Sequence, residues 1–381
     1  MKLSFPHMGN TEILLKDLFR RTGIEVVVPP PTSEKTLKLG VKCATEFACL
    51  PLKATIGNFI EALEAGADTL VMAGGVGPCR FGYYAEIQRR ILQDLGYQFE
   101  MIVLEPPRAD WLGFFKTCRR LAPGKSVRQI VKIIKTSFSK ARALDFVEKK
   151  VLRERAYELV PHSTTKAYKE GIALLDRADT PEEIEEAKNK AFELIDWVEK
   201  DLSREPLRVG IVGEFYMLLE PFFNFDMEEW LGRAGVSLER AVYLSDWISV
   251  SKENQVTGFS HHQVQEAAEP YLAYFVGGEG QPTIGNSVHY ARAGFDGAIQ
   301  LFPFTCMPDT IAKSILPKLS KDLDFPVISF VIDEQTGKAG VITRLEAFLD
   351  LLEAKRKSKK RRGEGAELRE LSVQGLRLGA Q

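Results

Sequence analysis

Three of the five cysteines, Cys49, Cys79 and Cys306, stand in settings suited to chemistry. Cys49 lies in EFACLPLKATIGNFIEAL, Cys79 in TLVMAGGVGPCRFGYYAEIQ and Cys306 in GAIQLFPFTCMPDTIAKSIL. Each follows a strand-like segment or a loop and directly precedes a helical one. In a parallel α/β fold such positions fall on one rim of the sheet, outside the carboxyl ends of the strands, where sites are built. Three thiolates on one rim suggest a metal centre, and helix amino termini aimed at them would lower the thiol pKa values and offset the charge of an anionic cluster. Iron–sulfur sites take ligands far apart in sequence when the fold gathers them. Cys49 and Cys79 come from one half of the chain and Cys306 from the other, so the expected centre lies in a cleft between domains. Gly74, Gly75 and Gly77 precede Cys79 and let the backbone approach closely, with amide groups free to point at sulfide or thiolate. The competing reading is unrelated buried thiols beside a glycine-rich turn, since no compact CxxC occurs.

Cys43 stands six residues before Cys49 as a conceivable fourth ligand, and Cys118 in FFKTCRRL reads as a small core residue; neither is expected to bind. With three protein thiolates, one iron keeps an open position for water, hydroxide, another side chain or a substrate atom, so chemistry at the metal is open. His7, in the loop after the first strand, is expected on the same rim. Glu214, ending the strand of VGEFY, is a candidate proton donor or substrate contact. Lys53 and Arg80 follow two of the cysteines and can balance cluster charge or stand solvated. His261 and His262, beside Ser260, read as a polar loop or helix start. GIVGEF and GGVGP resemble pieces of nucleotide loops, but neither completes GxGxxG and no GxxxxGK[ST] occurs, which excludes ATP hydrolysis by a P-loop.

The elements that must position these residues are those of two α/β units. Residues 1–108 alternate strand-like KLSF, IEVVV, DTLVMA and FEMIVL with helical runs at 11–21, 53–65 and 82–95. Over 109–205 the strand signal fades into apolar residues at helical spacing, with Thr180 capping and Pro181 opening one helix. A second unit, 206–354, runs from LRVGIVGE through VSLERAVYL, DGAIQLF and FPVISFVID to the helix TRLEAFLDLLEAK. The fold class is therefore α/β, with two Rossmann-like parallel-sheet domains and a helical segment between them. The tail, 355–381, begins with a basic run, Lys355 to Arg362, read as a solvated helix end or disordered tail, with docking on an acidic partner or RNA as the alternative. At 381 residues, 45% hydrophobic and 27% charged, the composition is that of an ordinary soluble protein. A net charge of −1 gives no reason to expect nucleic acid. No apolar run is long enough to span a bilayer, and MKLSFPHMGN does not read as a signal peptide, so a cytoplasmic protein without a membrane partner is expected. An odd cysteine count argues against a disulfide framework.

At the cysteines the chain resembles the iron–sulfur component of the 2-hydroxyacyl-CoA dehydratase and benzoyl-CoA reductase family, and more closely its stand-alone CoA-enzyme-activase-like relatives. The motifs that carry the resemblance are CLPLKATIGNFIEAL (49–63), GPCRFGYYAEIQRRIL (77–92), FPFTCMPDTIAKSIL (302–316) and TRLEAFLDLL (343–352). The resemblance implies a 4Fe-4S cluster between the domains, held by Cys49, Cys79 and Cys306, in an oxygen-sensitive oxidoreductase or lyase component of anaerobic metabolism. It also implies a separate ATP-dependent iron–sulfur activator ATPase as electron donor. The substrate would be an acyl-CoA or a small unsaturated molecule, and the assembly a homodimer or a heterodimer with a related chain. No residue set here identifies a CoA ester. Two other readings stand beside it: a non-catalytic cluster carrier, scaffold or regulatory protein, and a cluster-free α/β protein whose cleft holds a small anion.

Overall fold

Two four-stranded, all-parallel sheets with the same strand order organise the computed structural model, which describes residues 1–75, 77–105, 111–248 and 256–378. Sheet one is ordered β2-β1-β3-β4, with β1 Lys2–Ser4, β2 Glu25–Val26, β3 Thr69–Ala73 and β4 Glu100–Leu104. Sheet two is ordered β6-β5-β7-β8, with β5 Leu207–Gly213, β6 Val236–Arg240, β7 Gly297–Pro303 and β8 Val327–Ile332. Each sheet reverses its winding between its first and third strands, so each has a switch point there where loops diverge and leave a crevice. His7 and Cys79 follow β1 and β3; Glu214 and Cys306 follow β5 and β7.

Around sheet one stand α1 (Thr11–Thr22), α2 (Glu34–Cys43), α3 (Leu50–Glu64) and α4 (Tyr84–Asp94). The sequence reading lacks α2. Pro29, Pro30 and Pro31 suggest a loop that runs on, yet Ser33 and Thr36 form a capping box that restarts a helix after them. The helix is then pressed onto α3 backbone to backbone: a Cβ on Gly40 would lie 1.7 Å from the Lys53 carbonyl oxygen, and one on Gly57 2.0 Å from that of Thr36. Only glycine fits at either point. Every residue of α3 from Leu50 to Ala62 is buried. Leu52, Ile56, Phe59 and Ile60 pack into the first domain's core, whereas Leu50 and Ala54 enter the core of the second. At roughly 1.5–3 kcal/mol for each large apolar side chain, this burial fixes the helix that carries Cys49 between the domains.

The middle segment holds α5 (Trp111–Arg120), α6 (Val127–Glu154), α7 (Ser163–Arg177) and α8 (Pro181–Asp196), the last opened by a Thr180–Glu183 capping box. Its long helix α6 touches both domains. Lys140 donates to Asp17 of α1 at 2.9 Å, and Lys149 pairs with Glu239 of β6 at 2.8 Å. Sheet two is flanked by α9 (Phe215–Leu219), α10 (Met227–Arg233), α11 (Leu244–Ile248), α12 (His261–Ala268), α13 (Gly280–Arg292), α14 (Met307–Asp322) and α15 (Lys338–Leu378). Val341, Leu345, Phe348 and Leu352 form the buried stripe of α15 on sheet two. That helix continues unbroken through the basic run, where Lys355 pairs with Asp324 and Arg356 with Asp296, both at 2.5 Å.

Candidate functional site

The local sequence sets each cysteine at the start of a helix. Cys49 caps α3 and Cys306 caps α14, each in extended conformation with proline two residues on, as Cys49-Leu50-Pro51 and Cys306-Met307-Pro308. Cys79, after Pro78, caps a 3-10 turn, Arg80–Tyr83, that leads into α4. First-turn amides act on each thiol, those of Leu52 on Cys49, Phe81 on Cys79 and Asp309 on Cys306. Proline at such a position lacks only an amide that the helix start leaves unpaired anyway.

Arg80 ties the three loops together. Its guanidinium donates to the Phe47 carbonyl at 3.0 Å, two residues before Cys49, and to the Thr305 carbonyl and hydroxyl at 2.6 and 3.0 Å, one residue before Cys306. Thr305 also donates to the Phe47 carbonyl at 3.3 Å and sits at φ 69°, a left-handed conformation costly for a β-branched residue and held here by these bonds. From the other side, Gly277 and Gly278 lead into α13. A Cβ on Gly278 would lie 3.9 Å from Cys79 Sγ and 3.4 Å from Pro308 Cγ, so this turn fills the gap between Cys79 and the helix of Cys306. Gly77, at φ 124°, is exposed and Gly75 half-buried in the loop before Cys79, and Gly75 packs on Phe81 and Gly82.

Acidic groups crowd the same cleft. Glu214 caps α9 by accepting from the Tyr216 and Met217 amides at 3.1 and 3.0 Å. Removal from water still pushes its pKa up to about 7, with the charge of Asp309 adding to the effect. Burial raises Asp309 to about 6, although Gln300 and Thr283 hydrogen-bond to it, and Glu279 to about 8 beside Asp309 and Glu214. Burial lifts all three thiols above the usual cysteine range, and the Glu214 charge lifts each further. Arg80 opposes this for Cys49 and Cys79. The helix-start amides do lower the thiol pKa values, as expected, but burial outweighs them and the net shift is upward. Tyr84 hydrogen-bonds to Cys49 Sγ, and Cys306 Sγ lies 3.5 Å from Asp309 Oδ2. Phe81, in contact with Tyr84, meets Trp247 edge-on at 6.4 Å, and Trp247 stacks on Phe215 at 4.2 Å, so an aromatic wall crosses from one domain to the other.

Cys49, Cys79 and Cys306 thus all lie within the electrostatic reach of Glu214, with Asp309, Glu279, Tyr84 and Arg80 beside them. Among the described residues no three His, Cys, Asp or Glu side chains are placed to hold a single metal ion. His7 lies elsewhere on the interdomain face. Its Nδ1 is 2.9 Å from Glu220 Oε2 and its Nε2 3.6 Å from Glu12, with no thiol among its partners in the described residues. Lys53 is buried and pairs with Glu334 across the domains at 2.6 Å, beside a cavity of about 190 Å³ lined by Phe47, Phe304 and Ile332. Cys43 ends α2 against the first core, Cys118 lies half-buried in α5, and His261 and His262 are exposed at the start of α12. Sequence reasoning missed Asp309, Glu279 and Tyr84, though the paired Cys-x-Pro helix starts and the glycines before Glu279 were available as signals.

Fold and site together define a parallel α/β protein of two Rossmann-like halves with an acidic, thiol-bearing interdomain cleft. Residues 7–72 match the family model described as the CoA enzyme activase uncharacterised domain, so that stretch is similar to a CoA-enzyme-activase-related domain. The match includes His7, Cys49 and all of α3 and ends before Cys79. No curated protein matches the chain. Among the described residues no helix is long and apolar enough to cross a membrane.

Proposed function

We propose that this protein is an iron–sulfur redox component of the 2-hydroxyacyl-CoA dehydratase-like kind, in which Cys49, Cys79 and Cys306 hold a 4Fe-4S cluster between the domains. The observation that carries the reading is Arg80, a single side chain that ties the Cys49 and Cys306 loops to its own, next to Cys79. Such a cluster, when bound, supplies a one-electron store and an iron with an open position. The remaining work falls to the chain. Burial favours the protonated form of all three thiols, and a cationic iron–sulfide core would reverse that balance, so loading would release thiol protons. Glu214, poised near neutrality, holds a proton for a substrate oxygen or carbon at the cleft. The wall of Phe81, Tyr84, Phe215 and Trp247 limits water at the thiols. The electron comes from a separate ATP-dependent activator ATPase, as the chain has no phosphate loop of its own. The acceptor is a thioester-linked or small unsaturated molecule.

A cluster carrier or scaffold shares the thiol set, and the exposed Phe47, Phe304 and Met307 beside two of the thiols favour a partner protein docking at this mouth. A cluster-free site for a small anion is disfavoured by Asp309, which ionises above about pH 6, and by Glu214 near it. Anaerobic purification with iron and sulfide analysis, followed by mixing with reduced activator and MgATP, separates these readings. The proposal expects about four irons per chain and ATP-dependent bleaching of the cluster. Reduction by an ordinary ferredoxin at the same rate without ATP points to the carrier, and a chain that takes up no iron removes both.

A further inference from the structure

Residues 111–135, comprising α5, its connection and the first turns of α6, carry seven Lys and Arg and no Asp or Glu, in a chain whose net charge is −1. The segment is anchored: Leu121 packs into the core under sheet one, and Ala122 is buried beside it. Its helices nonetheless leave large apolar side chains in water. Trp111 is 65% exposed and Leu112 71%, with Phe115 beside them, and on α6 Val127 is 56% exposed in line with Val131 and Ile134. Spacing at 127, 131 and 134 makes one stripe on the helix, and Arg128, Lys132 and Lys135, each one residue on, make a basic stripe beside it. Of the seven cations only Arg120 has an acidic partner among the described residues, Glu100.

We propose that α5 and the start of α6 form a docking surface for an anionic phospholipid headgroup layer. Apolar side chains that include Trp, Phe and Leu beside a face of Lys and Arg are the composition of an element that lies in a membrane interface. The acyl boundary accepts the apolar stripe, and the headgroup phosphates accept the free cations. A second copy of the chain through the same patch would set seven positive charges against seven. A nucleic acid would satisfy the cations but leave Leu112, Val127, Val131 and Ile134 without an apolar partner. Protein interfaces are depleted in lysine, and four of these seven cations are lysine. The expectation of no membrane partner rested on the lack of a spanning segment, and interfacial binding needs none.

The test is flotation of the full-length protein with phosphatidylcholine vesicles, with and without phosphatidylglycerol. The expected result is binding to the anionic vesicles only, reversed by high salt. Lys132→Glu with Lys135→Glu should lower partitioning at least ~20-fold, taking ~fivefold per basic residue at such a surface. Val131→Ser with Ile134→Ser, at equally exposed positions, should weaken it ~tenfold or more through lost apolar burial. Absence of flotation at low salt overturns the proposal, as does equal binding to pure phosphatidylcholine. Retention on heparin or on an acidic protein without vesicle binding also overturns it and reassigns the surface to a soluble polyanion.

Discussion

Charge balance governs the chemistry at the site, where Glu214 raises all three thiols and Arg80 opposes it for Cys49 and Cys79. Replacing any of the three cysteines with alanine should remove most bound iron, measured as iron per chain after anaerobic reconstitution. Cys43→Ala and Cys118→Ala should leave it in place, and full iron in Cys79→Ala would strike that residue from the ligand set. Glu214 yields a second prediction, on the metal-free protein. Its folded pKa of about 7 lies above the ordinary carboxyl value, so the folded state holds the extra proton. Stability therefore falls as pH rises from about 4.5 to about 7. Glu214→Gln should raise stability at pH ~8 by about 1–2 kcal/mol and leave it unchanged at pH ~4.5, read by urea unfolding. Identical pH slopes for the two proteins would refute the buried-acid reading. The cysteines and Glu214 were legible because a thiol before a helix or an acid after a strand is unusual on its own. Asp309, Glu279 and Tyr84 were not, since an acid in the first turn of a helix is ordinary until the fold turns it inward.

At the scale of elements, helix starts supply the site and glycine turns set their spacing. The strands and the helices α1, α3, α4, α6, α8, α14 and α15 were readable from the sequence pattern, and the Thr180 cap from the proline that follows it. The reading failed at α2, where three prolines mask a helix whose existence depends on backbone contact with α3. It also missed the turn into α13, whose worth lies in what it touches. Gly277 has φ 91°, and a Cβ there would lie 2.8 Å from Pro78 Cγ and 3.0 Å from the Cys79 amide nitrogen. Gly277→Ala must both strain the turn and push on the Cys79 loop. It should cost about 1 kcal/mol or more in stability and lower iron retention. A Gly277→Ala protein that keeps its cluster and its melting temperature would mean that the turn does not position Cys79. Gly23, also left-handed but with open space around its Cβ position, is the control: alanine there strains the backbone without reaching the site.

At the scale of the whole molecule, the two-domain plan was legible and the bonds that lock the domains were not, because each joins residues far apart in sequence. Arg80 reaches Thr305, Lys53 reaches Glu334, and His7 reaches Glu220. The last of these is pH-sensitive. His7 is buried, which disfavours the imidazolium, but the hydrogen bond and charge of Glu220, with the charge of Glu12, outweigh that and raise its pKa above 6.5. Glu220 also accepts from the Gly9 amide at 3.0 Å, the Tyr216 hydroxyl donates to the His7 carbonyl at 3.1 Å, and Thr32 stands 3.4 Å from His7 Nδ1. A raised folded pKa means the ion pair contributes fully below about pH 6.5 and fades as pH rises through the folded value. The domains should therefore be held less firmly at pH ~9 than at pH ~6, by about 1–3 kcal/mol for a buried charged hydrogen bond. His7→Gln keeps a hydrogen-bonding side chain at the joint while removing the titration. It should flatten that dependence without changing iron content, since His7 has no thiol among its partners in the described residues. Urea unfolding and small-angle scattering across the pH range read the effect, and a wild-type profile that is flat or rises with pH would show that His7 and Glu220 do not lock the domains as an ion pair.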